Sequence, residues 1–450
     1  MKNRLRIFTK KNPKETNCII LSKTETIKFN DNKTNKNTFV IGGAGSGKTR
    51  FFVTPNLMQM NSSYVVSDSS GLILSNIGKL LIEKGNYKIK IFDMCNCKKS
   101  MHYNPFSYIQ SEKDILNLVD IIIANTNGEG EKSGEDFRVT AERLLYTAYI
   151  GYIFFESPKE EQNFNTFIEM INASAACEDD EEFKSSIDIL FERLERKEPD
   201  HFAVIQYKKY KLAAGKDVKS ILISCAARLA VFQDKELQEL MSYDELELDA
   251  LGGRDKDDKQ KTALFIIFPI TLCDMALITA MLYTQLFSVL NNKANDVFGG
   301  GLPIPVHFIL DEFRHIGTIP NFDKTIATLK GRNIWVSIII QSIQEIKIKY
   351  GEYYEEIIRY CDNMLYLGTM NNETQEFIRK YLDINNQTDL RTGAVCLVAR
   401  NKVYCFSSQY DITKHKFYHH LAEFRQKKAE LTKKGDNRTE NKHKPSKPKR

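Results

Sequence analysis

The apolar run Phe39-Val40-Ile41 is followed at once by Gly42-Gly43-Ala44-Gly45-Ser46-Gly47-Lys48-Thr49. No other stretch constrains the fold as strongly. It reads as a strand, a glycine-rich loop and a helix start, and it matches the phosphate-binding pattern G-x-x-x-x-G-K-[ST]. Glycines allow positive φ and bring successive N–H groups within reach of phosphate oxygens. The helix opening near Gly47 adds the positive end of its dipole. Lys48 is placed to reach the β- and γ-phosphates, and the Thr49 hydroxyl to ligate Mg²⁺. Gly42 to Thr49 are therefore expected to bind a nucleoside triphosphate, with ATP and Mg²⁺ as the cofactors.

Residues 39–111 alternate strand and helix. Strands are predicted at Thr38–Ile41, Tyr64–Ser67 and Lys88–Phe92, with helices from Lys48 to about Met60 and from Leu72 to Lys84. Pro55 should kink or shorten the first helix, and Gly85-Asn86 should close the second. The pattern implies an α/β fold with a parallel, doubly wound sheet. From Glu112 to Tyr243 helical periodicity takes over, with charged punctuation such as Glu178–Glu182 and no strand signal. The α/β pattern resumes near Thr262, with strands at Ala263–Phe268, Val306–Leu310, Ile334–Ile340 and Met364–Leu367. A hairpin, Ala394–Val398 with Val403–Phe406, precedes the last helix. The division that follows is 1–37 as an N-terminal extension, 38–111 with 244–425 as the nucleotide-binding domain, 112–243 as an all-α insertion, and 426–450 as a basic disordered tail.

A second motif completes the site. Val306-His307-Phe308-Ile309-Leu310-Asp311-Glu312 is an apolar strand ending in two acids, where ligands gather in open α/β sheets. Asp311 is expected to hold Mg²⁺ through water, and Glu312 to orient or deprotonate the attacking water. Gln341, at the tip of the strand beside it, is placed to sense the γ-phosphate. Lys48 and the two acids are expected to meet across adjacent strand tips. Arg332, on the loop before the Gln341 strand, is poorly placed for its own loop and is expected to act on a neighbouring subunit's phosphate. Arg359 is a weaker candidate for that role.

Composition adds less. The net charge of +6 resides in the tail, where Lys427–Arg450 hold ten Lys/Arg against three Asp/Glu, leaving 54 against 55 elsewhere. With Pro445, Pro448 and hardly any large apolar residues, that tail reads as a disordered arm that is either solubilising or a non-specific electrostatic contact. Nine scattered cysteines suit a reducing compartment. Cys95-x-Cys97 with His102 offers three soft ligands and no second pair, so zinc is not expected there. No secretory signal is legible, and the apolar stretch Ala263–Leu290 is interrupted by Pro269 and Asp274, so a buried strand and helix are expected rather than a membrane span.

At this point the chain resembles the type IV coupling proteins, the TraG/TraD-like conjugative DNA-transfer ATPases of type IV secretion systems, in their Gram-positive branch. The resemblance rests on Gly42–Thr49 with Thr54-Pro55-Asn56, on Tyr103-Asn104-Pro105-Phe106, and on Lys219-Ser220-Ile221-Leu222-Ile223-Ser224. It continues through Leu282-Tyr283-Thr284-Gln285-Leu286-Phe287, Leu310-Asp311-Glu312-Phe313, Ile316-Gly317 with Ile319-Pro320, Gly331-Arg332, Gln341-Ser342 and Cys361-Asp362-Asn363. It implies a RecA-like P-loop NTPase domain with a membrane-distal all-α domain, and a hexameric ring with ATP at head-to-tail contacts. It also implies a motor that recruits relaxase-bound single-stranded DNA, with relaxase, accessory transfer proteins and membrane components of the secretion system as partners. The chain departs from the family pattern at Asp68-Ser69-Ser70-Gly71-Leu72, which lacks the usual Lys and acid, and at Asp136-Phe137-Arg138, which lacks a Trp.

The resemblance places the chain at the cytoplasmic face of the membrane. Without a legible transmembrane segment, it is expected to be cytoplasmic and recruited to a separate membrane subunit. Two other readings stay open on sequence alone: a non-catalytic paralogue that docks transfer proteins, and a general double-stranded DNA translocase.

Overall fold

Apolar runs become strands here because the sheet buries them on both faces. The computed structural model describes residues 17–29, 35–126, 137–174, 184–214, 217–269, 275–384, 388–391, 394–399, 402–405, 408–423 and 426. Glu178–Glu182, Asp136, Asp274 and the basic tail from Lys427 lie outside the described residues. The strands are β1 (Cys18–Ile20), β2 (Thr26–Lys28), β3 (Thr38–Ile41), β4 (Ser63–Asp68), β5 (Lys88–Asp93), β6 (Thr262–Ile267), β7 (Val306–Leu310), β8 (Ile334–Ile340), β9 (Asn363–Tyr366), β10 (Cys396–Ala399) and β11 (Lys402–Cys405).

Nine of these form one sheet in the order β11-β10-β9-β3-β8-β7-β4-β6-β5. The seven strands from β9 to β5 run parallel, while β10 and β11 add antiparallel edges. Strands β3, β4, β6, β7, β8 and β9 are buried at every position, whereas the edge strand β5 alternates more and less exposed residues. Strand β8 stands between β3 and β7. The glycine-rich loop and the acidic pair are therefore not on adjacent strands, as the sequence reading had them, but flank the strand that ends at Gln341.

The helices are α1 (Thr54–Leu57), α2 (Leu72–Gly85), α3 (Glu112–Thr126), α4 (Phe137–Glu156), α5 (Phe164–Ala173), α6 (Ser186–Lys197), α7 (Phe202–Ala214), α8 (Val218–Arg228), α9 (Lys235–Leu240), α10 (Ala276–Asn292), α11 (Phe322–Thr328), α12 (Ile343–Tyr350), α13 (Tyr354–Arg359) and α14 (Asn372–Leu382). Helices α3 to α9 come between β5 and β6 in the chain. Alternation along each strand sends Phe39, Val65, Leu264, Phe308 and Val336 into a core shared with α3, α4 and α10, while Val40, Val66, Phe265 and Ile309 face α1 and α2. The segment Tyr103-Asn104-Pro105-Phe106 stitches the all-α part to the sheet side. Tyr103 Oη donates to Gln285 Oε1 at 2.5 Å, Gln285 Nε2 to the Pro105 carbonyl at 2.9 Å, and Asn104 Nδ2 to the Gln162 carbonyl at 2.8 Å.

Two local departures have clear causes. The helix after the glycine-rich loop opens as a wide π-type turn over Thr49–Val53 before α1 begins. Pro55 lacks an N–H and its ring crowds the preceding turn, so the helix widens and ends by Leu57 instead of running to Met60. The N-terminal extension also contains structure that composition did not announce. The β1–β2 hairpin buries Ile19, Leu21 and Ile27 against the α1 face, each such side chain contributing about 1.5–3 kcal/mol. Asn56 serves as its strand partner, accepting from Ile20 N–H at 2.8 Å and donating to the Ile20 carbonyl at 2.9 Å.

Candidate nucleotide site

The glycine-rich loop holds the conformation its residue types allow. Gly45 and Gly47 sit at φ +72° and +84°, a region most side chains avoid. Gly42 and Gly43 continue β3 between its neighbours, their N–H groups donating to the Ile340 carbonyl at 3.2 Å and the Gly368 carbonyl at 2.9 Å. A Cβ at Gly42 would lie 2.5 Å from Ser46 Oγ, so the loop closes on itself only with glycine there. Inside the loop the Ser46 hydroxyl is buried and has no hydrogen-bond partner. Lys48, only 7 % exposed, turns its ammonium into the loop and donates to the Gly42 carbonyl at 2.8 Å and the Gly43 carbonyl at 3.3 Å.

The acids approach from β7. Thr49 Oγ1 donates to Asp311 Oδ2 at 3.0 Å. Burial and the neighbouring Glu312 push the Asp311 carboxyl up to about 6, against the opposing pull of Thr49 and Lys48. Glu312 adopts a left-handed backbone at φ 51°, which for a non-glycine residue costs on the order of 1 kcal/mol. This turn aims its carboxylate at β8, where Gln341 Nε2 donates to both oxygens at 2.9 and 3.1 Å. Lys48, Thr49, Asp311, Glu312 and Gln341 thus gather at the C-terminal edge of the sheet.

Arg332 does not join them. It lies before the first residue of β8, at the opposite end of the same strand, and its Nε donates to Asn295 Oδ1 at 2.9 Å. A seven-residue strand spans roughly 20 Å or more, which separates it from its own loop. Arg359 is exposed at the end of α13. Cys95 is exposed, and His102 pairs with Glu245 through Nδ1 at 2.8 Å.

Glu345 is a participant the sequence reading missed. Its Oε2 accepts the Gln341 N–H at 3.2 Å, and burial raises its carboxyl above the usual range. The signal was present as Ser342-Ile343-Gln344-Glu345, the S-x-x-E pattern of a helix start. Here the acid caps the residue before Ser342 instead.

The donor set fits a magnesium nucleotide. Thr49 Oγ1 and Asp311 offer hard oxygens, too few to hold a cation alone and suited to Mg²⁺ shared with phosphates. The partnerless Ser46 hydroxyl lies within the same loop.

With this geometry in view, sequence and fold agree. The family pattern described as type IV secretory system conjugative DNA transfer matches residues 4–383. The chain belongs to that family. Its work is accordingly conjugative DNA transfer. No curated protein sequence matches the chain significantly. Among solved structures, the unbound bacterial conjugative coupling protein TrwBΔN70 has 13% identity and a TM-score of 0.59 over 89% of this chain and 90% of that one. TrwB with the ATP analogue ADPNP has 14% identity and a TM-score of 0.56, covering 88% and 83%. TrwB with ADP and Mg²⁺ has 15% identity and a TM-score of 0.55 over the same shares, 88% and 83%. Likeness at this identity speaks for the fold, an α/β sheet of the RecA-like kind with its helical insertion. Among the described residues no helix is long and apolar enough to cross a membrane.

Proposed function

We propose that this member of the conjugative DNA-transfer family is an ATP-hydrolysing motor that drives relaxase-bound single-stranded DNA toward a type IV secretion channel. The reading rests above all on one observation, the gathering of Lys48, the Thr49–Asp311 pair and the Gln341–Glu312 pair at one sheet edge. Lys48 and the loop N–H groups would hold the phosphates, and Thr49 with Asp311 would hold Mg²⁺, which supplies charge neutralisation to the transferring phosphoryl group. Glu312 then orients or deprotonates the attacking water, and Gln341 fixes the direction of that carboxylate. The TrwB structures that hold ADPNP, and ADP with Mg²⁺, support nucleotide binding in this fold.

Arg332 would complete a site only on a neighbouring copy, which is the arrangement of a head-to-tail ring. DNA, relaxase and accessory transfer proteins are the partners, and recruitment to the cytoplasmic face of the membrane is the location. Phosphate contacts rather than base readout should carry the DNA.

The test is Mg²⁺-dependent ATP binding and DNA-stimulated turnover for wild type and Lys48→Ala. Wild type should bind ATP and accelerate with single-stranded DNA, and Lys48→Ala should lose about 10–100-fold in affinity, the loss of a charge-assisted contact. Equal and negligible turnover in both would sink the motor and favour a docking protein.

A further inference from the structure

The seven residues after Glu312 cross from the nucleotide site to the all-α part of the molecule and are pinned along the way. Lys349, half-buried on α12, donates to the Phe313 carbonyl at 2.8 Å and to the Ile316 carbonyl, with its ammonium 4.4 Å from the centre of the Phe313 ring. Gly317 N–H donates to Thr279 Oγ1 on α10 at 3.2 Å, and Ile319 N–H to Tyr350 Oη at 3.3 Å. The remaining pin comes from α3. Asn125 Oδ1 accepts the Thr318 N–H at 2.6 Å, while its Nδ2 donates to the Thr318 carbonyl at 2.9 Å and to its own helix at Ile121. A Cβ on Gly317 would come within 2.6 Å of that Asn125 oxygen, so the clamp closes only over glycine.

A two-point amide clamp that grips the N–H and the carbonyl of one residue, and so two successive peptide units, follows its partner in both directions. One end of the pinned segment is Glu312, whose carboxylate is tied to Gln341, the residue directly before Ser342 and α12. The other end is tied to the last turn of α3, the first helix of the all-α part. Beside it lies a cleft of 520 Å³ walled by Asn125, Arg314, Thr318, Glu345 and Lys349, which leaves the segment room to shift. We infer that Asn125 is a positioning residue that couples the state of the nucleotide site to the all-α part. Through it, a change at Glu312 is felt in α3, and whatever macromolecule engages the all-α part is felt at Glu312.

This inference rests on the ATPase reading, and the experiment separates the two. Hydrogen exchange is measured with and without ADPNP and Mg²⁺ for wild type, Asn125→Ala and Asn125→Asp, alongside ATP turnover with and without a poly-dT oligonucleotide. Wild type should show nucleotide-dependent exchange at both the glycine-rich loop and residues 112–126. In Asn125→Ala the loop response should persist and the α3 response vanish. Its poly-dT stimulation should fall at least about fivefold, with unstimulated turnover unchanged. Asn125→Asp keeps the acceptor half of the clamp but sets a carboxylate oxygen against the Thr318 and Ile121 carbonyls in place of the donor, so it too should lose the α3 response and the poly-dT stimulation. An α3 response and stimulation intact in Asn125→Ala would overturn the inference alone. Wild type that fails to bind ADPNP would overturn the ATPase reading and the inference together.

Discussion

The two ends of the parallel strands are built on opposite plans. At the C-terminal end, charged and strained groups collect: Lys48, Asp311 with its raised carboxyl, Glu312 in a left-handed backbone, and a partnerless Ser46 hydroxyl. At the N-terminal end, neutral amides close the sheet. Asn37 Oδ1 accepts the Val336 N–H at 3.0 Å and its Nδ2 donates to the Tyr360 carbonyl at 3.1 Å, while Asn363 Nδ2 donates to the carbonyls of Asn35 and Asn37. One end gathers the groups that a phosphate ligand would complete, and the other is stitched mainly by amide hydrogen bonds, with Asn363 Oδ1 and Trp335 Nε1 left without hydrogen-bond partners there. Parallel strands allow this division because every strand tip of one kind lies on the same edge. Arg332 is the exception among the predicted site residues, lying at the stitched end where Lys36 and Lys261 also lie.

That exception gives the largest expected effect. Arg332→Ala should lower turnover about 10³-fold at concentrations where copies assemble, while leaving nucleotide affinity of the dilute protein unchanged. A loss independent of protein concentration would remove the in-trans role. Next is Glu312→Gln, expected to cut turnover by about 10²–10⁴-fold with ATP binding retained, as read by single-turnover kinetics beside equilibrium binding. The stitched end should respond in stability only. Asn37→Ala leaves the Val336 N–H without its Asn37 acceptor, while the Tyr360 carbonyl keeps Asn35 Nδ2, and should cost about 1–3 kcal/mol in urea unfolding, with nucleotide affinity intact. If that variant instead weakens nucleotide binding, the two ends are not separable.

Near the N-terminal end of β7, His307 tests the interior. Its imidazole is buried beside Ser337 and burial lowers it from 6.5 to about 3. The unfolded chain therefore takes up the proton first as pH falls. Stability present above about pH 6.5 is lost toward pH 3, at about 1.4 kcal/mol per pH unit for this group. His307→Gln should flatten that part of the pH–stability curve, and an unchanged slope would assign acid sensitivity to other groups.

Much of this is legible in the sequence. The strand–loop–helix signal at Phe39–Thr49 and the acid-tipped run at Val306–Glu312 rest on local rules of backbone freedom, burial and spacing, so β3, β7 and β8 fall where periodicity puts them. Less legible were the elements that depend on partners far along the chain. The β1–β2 hairpin needs Asn56 to satisfy Ile20, a pairing across 36 residues. Glu345 reads as an ordinary helix-capping acid until Gln341 is seen above it.

By itself, then, the sequence determined the residue chemistry of the site and the alternation that makes a parallel sheet, because both follow from a few neighbouring positions. Strand order was decided only in three dimensions, since β8 enters between β3 and β7 through packing of distant segments that no local spacing encodes. The same holds for the Asn125 clamp, whose two partners meet across 193 residues because α3 and the segment after Glu312 share one core.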